Sequence, residues 1–348
     1  MKNFTPYNSR PSEATLRDII YNQNYGNFIQ TEQKLKSGPD APGYVANRLA
    51  MYRDFLTALL VAGYSFSPVE QAIATGRQSF RNGAAPAQAM IRHDVDGDLP
   101  AALACAEVER RLGIRATYYL LHTGPYYGTF ANGVFLRNEA CAEAYAMLQD
   151  MGHEVGLHTD SLWVYQQWGV DGAQCIRDEL CWLRSIGLRI VGTAPHNSPS
   201  VYGGVSNNEI FGGYDYYEWH VFDGRVRPHP RPEMLAGIPL GSLDPAELDL
   251  TYQADAVWDL GIAVDWMSIM GADTVQRYTW FDTKNHETLS FSKVAERLIT
   301  EKASFKRLIY CSHAACLADL IANAPHLLYL SVHPEFYGRR DAGVLWPC

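Results

Sequence analysis

The sequence contains no Cys-x-x-Cys pair, and its seven cysteines are an odd number scattered through helical and strand-like stretches. That pattern excludes a thiolate zinc site and a disulfide framework of the secreted kind. Basic residues are in deficit, with 29 Lys and Arg against 38 Asp and Glu and a formal net charge of −9. A nucleic-acid binder needs a basic footprint to displace counterions, so no nucleic-acid partner is expected. The longest apolar run, Phe55 to Tyr64, is far shorter than the ~20 residues that cross a bilayer, and no membrane partner is expected either. The first ten residues lack the apolar core of a secretory signal, which makes the cytoplasm the expected location. No Gly-rich phosphate loop, Ser nucleophile elbow or Cys–His pairing is legible, and there is no internal repeat or low-complexity tract.

What is present is a large apolar fraction arranged in alternating elements. Hydrophobic residues make up 47% and charged residues 19% of 348, enough to bury a sizeable core in one large α/β barrel or two ordinary domains. Residues 1–43, punctuated by Pro6, Pro11, Pro39 and Pro42, read as an arm. A helix is expected over 44–63, where Leu49, Tyr52, Leu56 and Leu59 form one stripe and Gly63 closes it. A Gly- and Ala-rich connection at 76–87 leads to a strand at 88–96. Expected next are a helix at 99–112, a strand at 115–121, a Gly-, Tyr- and Phe-rich loop, a helix at 138–151 and a strand at 153–158. A helix at 172–186 and a strand at 188–196 follow. Residues 197–285 read as a long insertion with a helix near 245–260 and a strand near 262–269. The chain then resumes with a helix at 292–300, a strand at 307–313, a helix at 315–324 and a strand at 327–333. Such alternation predicts parallel strands joined by crossover helices.

The chemistry concentrates at Ala-Met-Ile-Arg-His-Asp-Val-Asp-Gly-Asp, residues 89–98. On a strand Arg92, Asp94 and Asp96 share one face and His93 and Val95 the other. Two adjacent acids need a cation to remain ionised together; Arg92 and a metal ion are the two candidates. The competing account is a helix N-terminus with surplus acid, in which Asp98 caps the helix starting at Leu99. The histidines weigh against that account. His122, His158, His196, His313 and His333 each close an apolar, β-rich run. Any one of them is more often a core or capping residue than a ligand. In a parallel barrel, however, all strand C-termini converge on the rim where chemistry is built. One Asp with two His is a normal ligand set for tetrahedral zinc with an open position, and nitrogen and oxygen donors admit other first-row ions.

Asp94-Val95-Asp96, Gly152-His153-Glu154-Val155-Gly156-Leu157-His158-Thr159 and Leu330-Ser331-Val332-His333-Pro334-Glu335 resemble motifs of the NodB-type polysaccharide deacetylases, carbohydrate esterase family four. A branch with an Arg-His-Asp-Val-Asp first motif is the nearest in pattern, with Gly63-Tyr64 and Gly113–Tyr118 also in place. The resemblance covers roughly residues 45–340, thinly across 197–305. It implies a distorted (β/α)7 barrel, TIM-like, over 88–348, carrying the aromatic-rich insertion 197–285, with residues 1–87 as an arm and helix packed on it. It also implies Asp94 as general base, Asp96 and His158 as metal ligands, and His333 as general acid. The family's His-Ser/Thr-x-x-His pattern would place a second ligand at 162, where this chain has Leu162.

Two residues could replace that ligand. His196, in Ala194-Pro195-His196-Asn197, is preferred because a neutral imidazole does not crowd a further carboxylate against Asp94 and Asp96. Asp160 would then orient His158 through its free ring nitrogen. Arg92 would stand in for a family arginine and hold Asp94 ionised. Asn197 and His313 complete the supporting or substrate-binding set, and His313 is also a rival to His333 as the acid. Trp219, within Tyr214–Phe222, could stack on a sugar; the plainer reading is that these rings pack a loop onto the barrel. His153 and Glu154 read as structural residues at the opposite rim.

The expected activity is divalent-metal-dependent hydrolysis, with zinc foremost, of an N-acyl group on a carbohydrate or amino-sugar substrate. Two alternatives stand beside it: a catalytically silent glycan-binding homologue, kept open by Leu162, and an amidase acting on a non-sugar amide or imide.

Overall fold

The computed structural model describes residues 48–82, 87–196, 207–211, 221–222, 225–226, 241–254, 265–269, 274–282, 287–288, 305–312, 317–318, 321 and 327–338. Helix α1 (Arg48–Val61) buries Leu49, Tyr52, Phe55, Leu56 and Leu59. Helix α2 (Val69–Asn82) buries Val69, Ala72 and Ile73. The expected connection at 76–87 is therefore mostly helix. Burial of that stripe outweighs the ~1 kcal/mol that a mid-helix glycine such as Gly76 costs.

Strand β1 (Gln88–Val95) is buried along nearly its whole length, as befits a central parallel strand covered on both faces. It is followed by α3 (Leu99–Arg111), β2 (Thr117–Leu121), α4 (Ala142–Asp150) and β3 (Glu154–Thr159). Then come α5 (Ser161–Trp168), α6 (Gly172–Ser185), β4 (Gly192–Pro195) and β5 (Tyr252–Gln253). Further along are β6 (Asp265–Ile269), β7 (Thr274–Asp282), β8 (Phe305–Ser312), β9 (Leu327–Val332) and the short α7 (Glu335–Gly338).

The hydrogen-bonded strand order is β5–β4–β3–β2–β1–β9–β6–β7, with β8 on β7. From β5 to β6 every neighbouring pair is parallel. Among the described residues, β7, β8 and the two-residue strand Glu287–Thr288 run antiparallel to their neighbours. The sheet curls strongly: the Arg92 guanidinium on β1 reaches the Ala254 carbonyl just past β5, four strands away, at 2.9 Å. The result is a curled parallel half-barrel with helices outside, compatible with a TIM-like fold. Among the described residues β5 and β7 do not pair with each other.

Several expected elements differ. The helix near 245–260 is, in its described part, only the turn Ala246–Leu248, closed by Asp249 at φ +52°. The chain then enters β5, a two-residue strand with too little periodicity to be read from sequence. The strand expected at 307–313 exists, but it pairs antiparallel with β7 and sits outside the parallel set. The Gly-, Tyr- and Phe-rich loop after β2 contains a hairpin, Gly128–Ala131 with Val134–Arg137. Helix α5 was not anticipated. The expected helix at 292–300 and most of that at 315–324 fall outside the described residues.

The outward face of β1 is anchored by a second carboxylate. Glu109 on α3 is fully buried, with Oε1 at 2.6 Å from His93 Nε2 and accepting from the Tyr52 hydroxyl at 2.5 Å. Its Oε2 accepts from Tyr118 at 2.7 Å. The His93 ring stacks on Tyr118, centroids 4.1 Å apart. This network ties α1, α3, β1 and β2 directly behind the strand that ends in Asp94 and Asp96. A buried carboxylate so supplied escapes the cost of an unsatisfied charge.

Candidate active site

The inward face of the curled sheet carries its polar residues in layers set by register. Arg92, Thr117 and Glu154 are neighbours in one layer; Asp94, Tyr119 and Gly156 form the next. His158 lies one step further up, beside Ala194. The C-terminal strand ends therefore gather Asp94 and Asp96 after β1, His158 on β3, His196 after β4 and His333 after β9.

Asp96 is the centre of this group. Its Oδ1 is 3.4 Å from His158 Nε2, and its Oδ2 is 3.8 Å from His196 Nε2 and 3.5 Å from His333 Nε2. His158 Nε2 and His333 Nε2 also face Asp94 Oδ2, at 3.7 and 4.0 Å. The proton positions follow from the far side of each ring. His158 Nδ1 is 2.8 Å from the Ala194 carbonyl, so that nitrogen carries the hydrogen and leaves Nε2 a bare acceptor in the neutral ring. His196 Nδ1 is 3.4 Å from Asp160 Oδ2, which sets the same tautomer. Two lone pairs then face carboxylate oxygens, an arrangement that needs a cation between them.

With protons as the only cations, the group compensates by charging His196. Burial pushes His196 down, but Asp96 and Asp160 outweigh it and lift the ring to about 9. Burial pushes Asp96 up, and the surrounding imidazoles of His196, His158 and His333 hold it well below the usual carboxylate range.

Asp94 is handled differently. Burial would raise its carboxyl, yet Arg92 keeps it below the usual range. The guanidinium pairs with it bidentately, Nε to Oδ1 at 2.5 Å and Nη2 to Oδ2 at 2.9 Å. The remaining Arg92 donors reach the carbonyls of Ala254 at 2.9 Å and Pro195 at 3.4 Å. The cation for Asp94 is thus arginine, while Asp96 is left facing imidazoles. Asp98 takes the bland role: its Oδ1 accepts from Ala101 N–H and caps α3.

Asp160 occupies the N-cap position of α5 but makes no cap hydrogen bond. Its carboxylate instead accepts from Thr123 Oγ1 at 2.8 Å and Asn207 Nδ2 at 3.1 Å, and faces His196. The expectation that Asp160 orients His158 is corrected on this geometry, since the Ala194 carbonyl does that and Asp160 backs His196. Asn207 was not singled out in the sequence. It also donates to the His196 carbonyl at 2.7 Å and accepts from Leu162 N–H at 2.9 Å, joining the strand end to α5. Its only sequence signal was an Asn in an unreadable stretch. Leu162 itself is fully buried on α5, so an apolar core residue holds that position.

His122 stays out of the group. Its Nε2 accepts from Asp160 N–H at 2.7 Å, and its Nδ1 is 3.5 Å from Cys175 Sγ. Burial lowers His122 to about 4 and pushes the Cys175 thiol up, so this Cys–His contact is no thiolate pair. Asn197, Trp219 and His313 lie outside the described residues.

Among the described residues, no group of three or more His, Cys, Asp or Glu side chains is placed so that it could hold a metal ion as it stands. Two pairwise spacings around Asp96 nevertheless have the length that an ion asks for. Donors bonded at ~2.0–2.2 Å to one tetrahedral ion stand about 3.3–3.5 Å apart. The His158 and His333 edges to Asp96 are of that length, and His196 must approach by a few tenths of an ångström. Asp96 Oδ1 is also a buried oxygen that makes no well-aligned hydrogen bond. No known family model matches the chain, and neither a curated protein nor a solved structure matches it.

Proposed function

We propose that the chain is a divalent-metal-dependent hydrolase that removes an N-acyl group, acetyl or formyl, from an amino sugar or glycan. The observation that supports it most is the pair of ring nitrogens, His158 Nε2 and His196 Nε2, facing Asp96 beside a separately neutralised Asp94. Asp96, His158 and His196 would hold the ion, and zinc suits these nitrogen and oxygen donors. When bound, it supplies Lewis acidity toward the acyl carbonyl and a more acidic water at neutral pH. Asp94, kept ionised by Arg92, takes the proton of the attacking water. His333, partly open to solvent and facing both aspartates, gives a proton to the departing amine, a contribution of roughly 10²–10⁴ in rate. Products are a free amine and the carboxylic acid.

The test is release of amine and acetate or formate from N-acetylated and N-formylated amino sugars, with the protein zinc-loaded or chelated. Turnover that needs the metal and is lost in Asp94→Asn is expected. Parental turnover in Asp94→Asn removes Asp94 as the base. One tightly held ion with no turnover of any sugar amide favours the non-sugar amidase. No ion held under any loading condition favours a glycan-binding homologue.

A further inference from the structure

Beneath the Arg92–Asp94 pair lies a polar column that the proposed chemistry does not use. Tyr119 on β2 and Tyr252 on β5 come from strands separated by β3 and β4, yet their hydroxyls are 2.8 Å apart inside the half-barrel. The Tyr252 hydroxyl donates to Glu154 Oε1 at 2.5 Å. Glu154 Oε2 accepts from Thr117 Oγ1 at 2.8 Å and Glu70 N–H at 3.2 Å. Tyr119, Tyr252, Thr117 and Glu154 are all buried. Two glycines make the room. A Cβ at Gly156 would overlap the Tyr119 ring, and one at Gly192 would overlap the Tyr252 ring. Neither position can carry a larger residue while the tyrosines stay in place.

The direction of the hydrogen bonds is set from below. Because Tyr252 gives its proton to Glu154, the bond between the two hydroxyls runs from Tyr119 to Tyr252. Each donor in such a chain strengthens the next, and a phenol that donates becomes richer in ring electron density. The Arg92 guanidinium lies over that ring, its Cζ 5.5 Å from the centroid, within the range where a cation is attracted to an aromatic face. Filling the interior would need only two rings; the paired hydroxyls and the buried acid go beyond filling.

We propose that Tyr119 and Tyr252, backed by Glu154, are positioning residues that fix the plane of the Arg92 guanidinium, and through it the Asp94 carboxylate. The catalytic half of this statement rests on Asp94 being the base; the positioning half does not. Tyr119→Phe and Tyr252→Phe each remove one oxygen and keep the ring. The first readout needs no substrate: the ¹H–¹⁵N spectrum of arginine side chains, with the Arg92 Nε–H signal assigned by its loss in Arg92→Lys. The short bond to Asp94 should hold that proton downfield in the parent, and in both Phe variants the signal should move upfield with the fold retained. An Arg92 signal unchanged in both variants overturns the inference, whatever the activity. Should one variant fail to fold, the other decides alone.

The second readout applies once turnover is established. kcat should fall by about tenfold or more, as misplacement of a reacting group does, with KM little changed. Tyr252→Phe combined with Arg92→Lys should lose no more than Arg92→Lys alone. Independent, multiplying losses overturn the positioning role. A parent without turnover on any N-acyl sugar counts against the deacetylase reading alone, and the spectrum still decides the column.

Discussion

Replacing Arg92 with methionine tests the central electrostatic claim. Arg92 and Asp94 are 4% and 5% exposed, and their bidentate pair lies within the curled sheet. Removing the guanidinium leaves a carboxylate buried without its partner, a change that costs about 3–5 kcal/mol in other buried pairs. Two carbonyls, those of Ala254 and Pro195, lose their donor as well, which keeps the expected loss in the upper part of that range. Asp94→Asn strands the buried guanidinium in turn, but the Ala254 and Pro195 carbonyls still accept from it, so this variant should cost less. The double variant Arg92→Met/Asp94→Asn leaves neither charge stranded. It should be more stable than the sum of the singles implies by about 2 kcal/mol or more, the size expected of contacting residues. Urea unfolding of all four proteins in the presence of a chelator measures the cycle and keeps metal binding out of it. Additivity within about 0.5 kcal/mol would show that the two side chains do not depend on each other, and the account of an arginine-held base would fall.

Three further outcomes follow. Asp160→Ala removes the carboxylate behind His196 and should weaken zinc binding by roughly 10–100-fold, measured by competition with a chelating dye; unchanged affinity would mean His196 is not a ligand. Gly192→Ala should cost about 1–3 kcal/mol by overpacking against Tyr252, and Tyr252→Ala in the same chain should remove that clash, so a cycle without coupling refutes it. Glu109 is pushed up by burial but held below its usual 4.5 mainly by His93. Its contribution to stability is therefore present above pH 4.5 and is lost as pH falls through the lower folded value. The stability gap between the parent and Glu109→Gln should shrink below pH 4.5; a gap constant with pH would sink this sign.

The sequence alone determined where the carboxylates and imidazoles stand along the chain, and that was enough to bring much of the site together. Strand ends are readable because β1, β2, β3 and β9 are long apolar runs. A parallel sheet then carries Asp94, Asp96, His158 and His333 to one rim with no further information. Asp98 as a cap was equally local, since it depends on the backbone three residues away. The pairing of Arg92 with Asp94 is an expectation of the sequence; the curl of the sheet adds the Ala254 and Pro195 carbonyls that hold the guanidinium there. Only the tertiary structure decided which other groups serve which. Asp160 serves His196 because α5 turns it away from His158, and Asn207 and Tyr252 reach the interior from segments with too little periodicity to place. Periodicity reports which way a side chain faces along its own element. Partnership across a curled interior depends on curvature and on the space left by residues such as Gly156 and Gly192, and no local pattern records that.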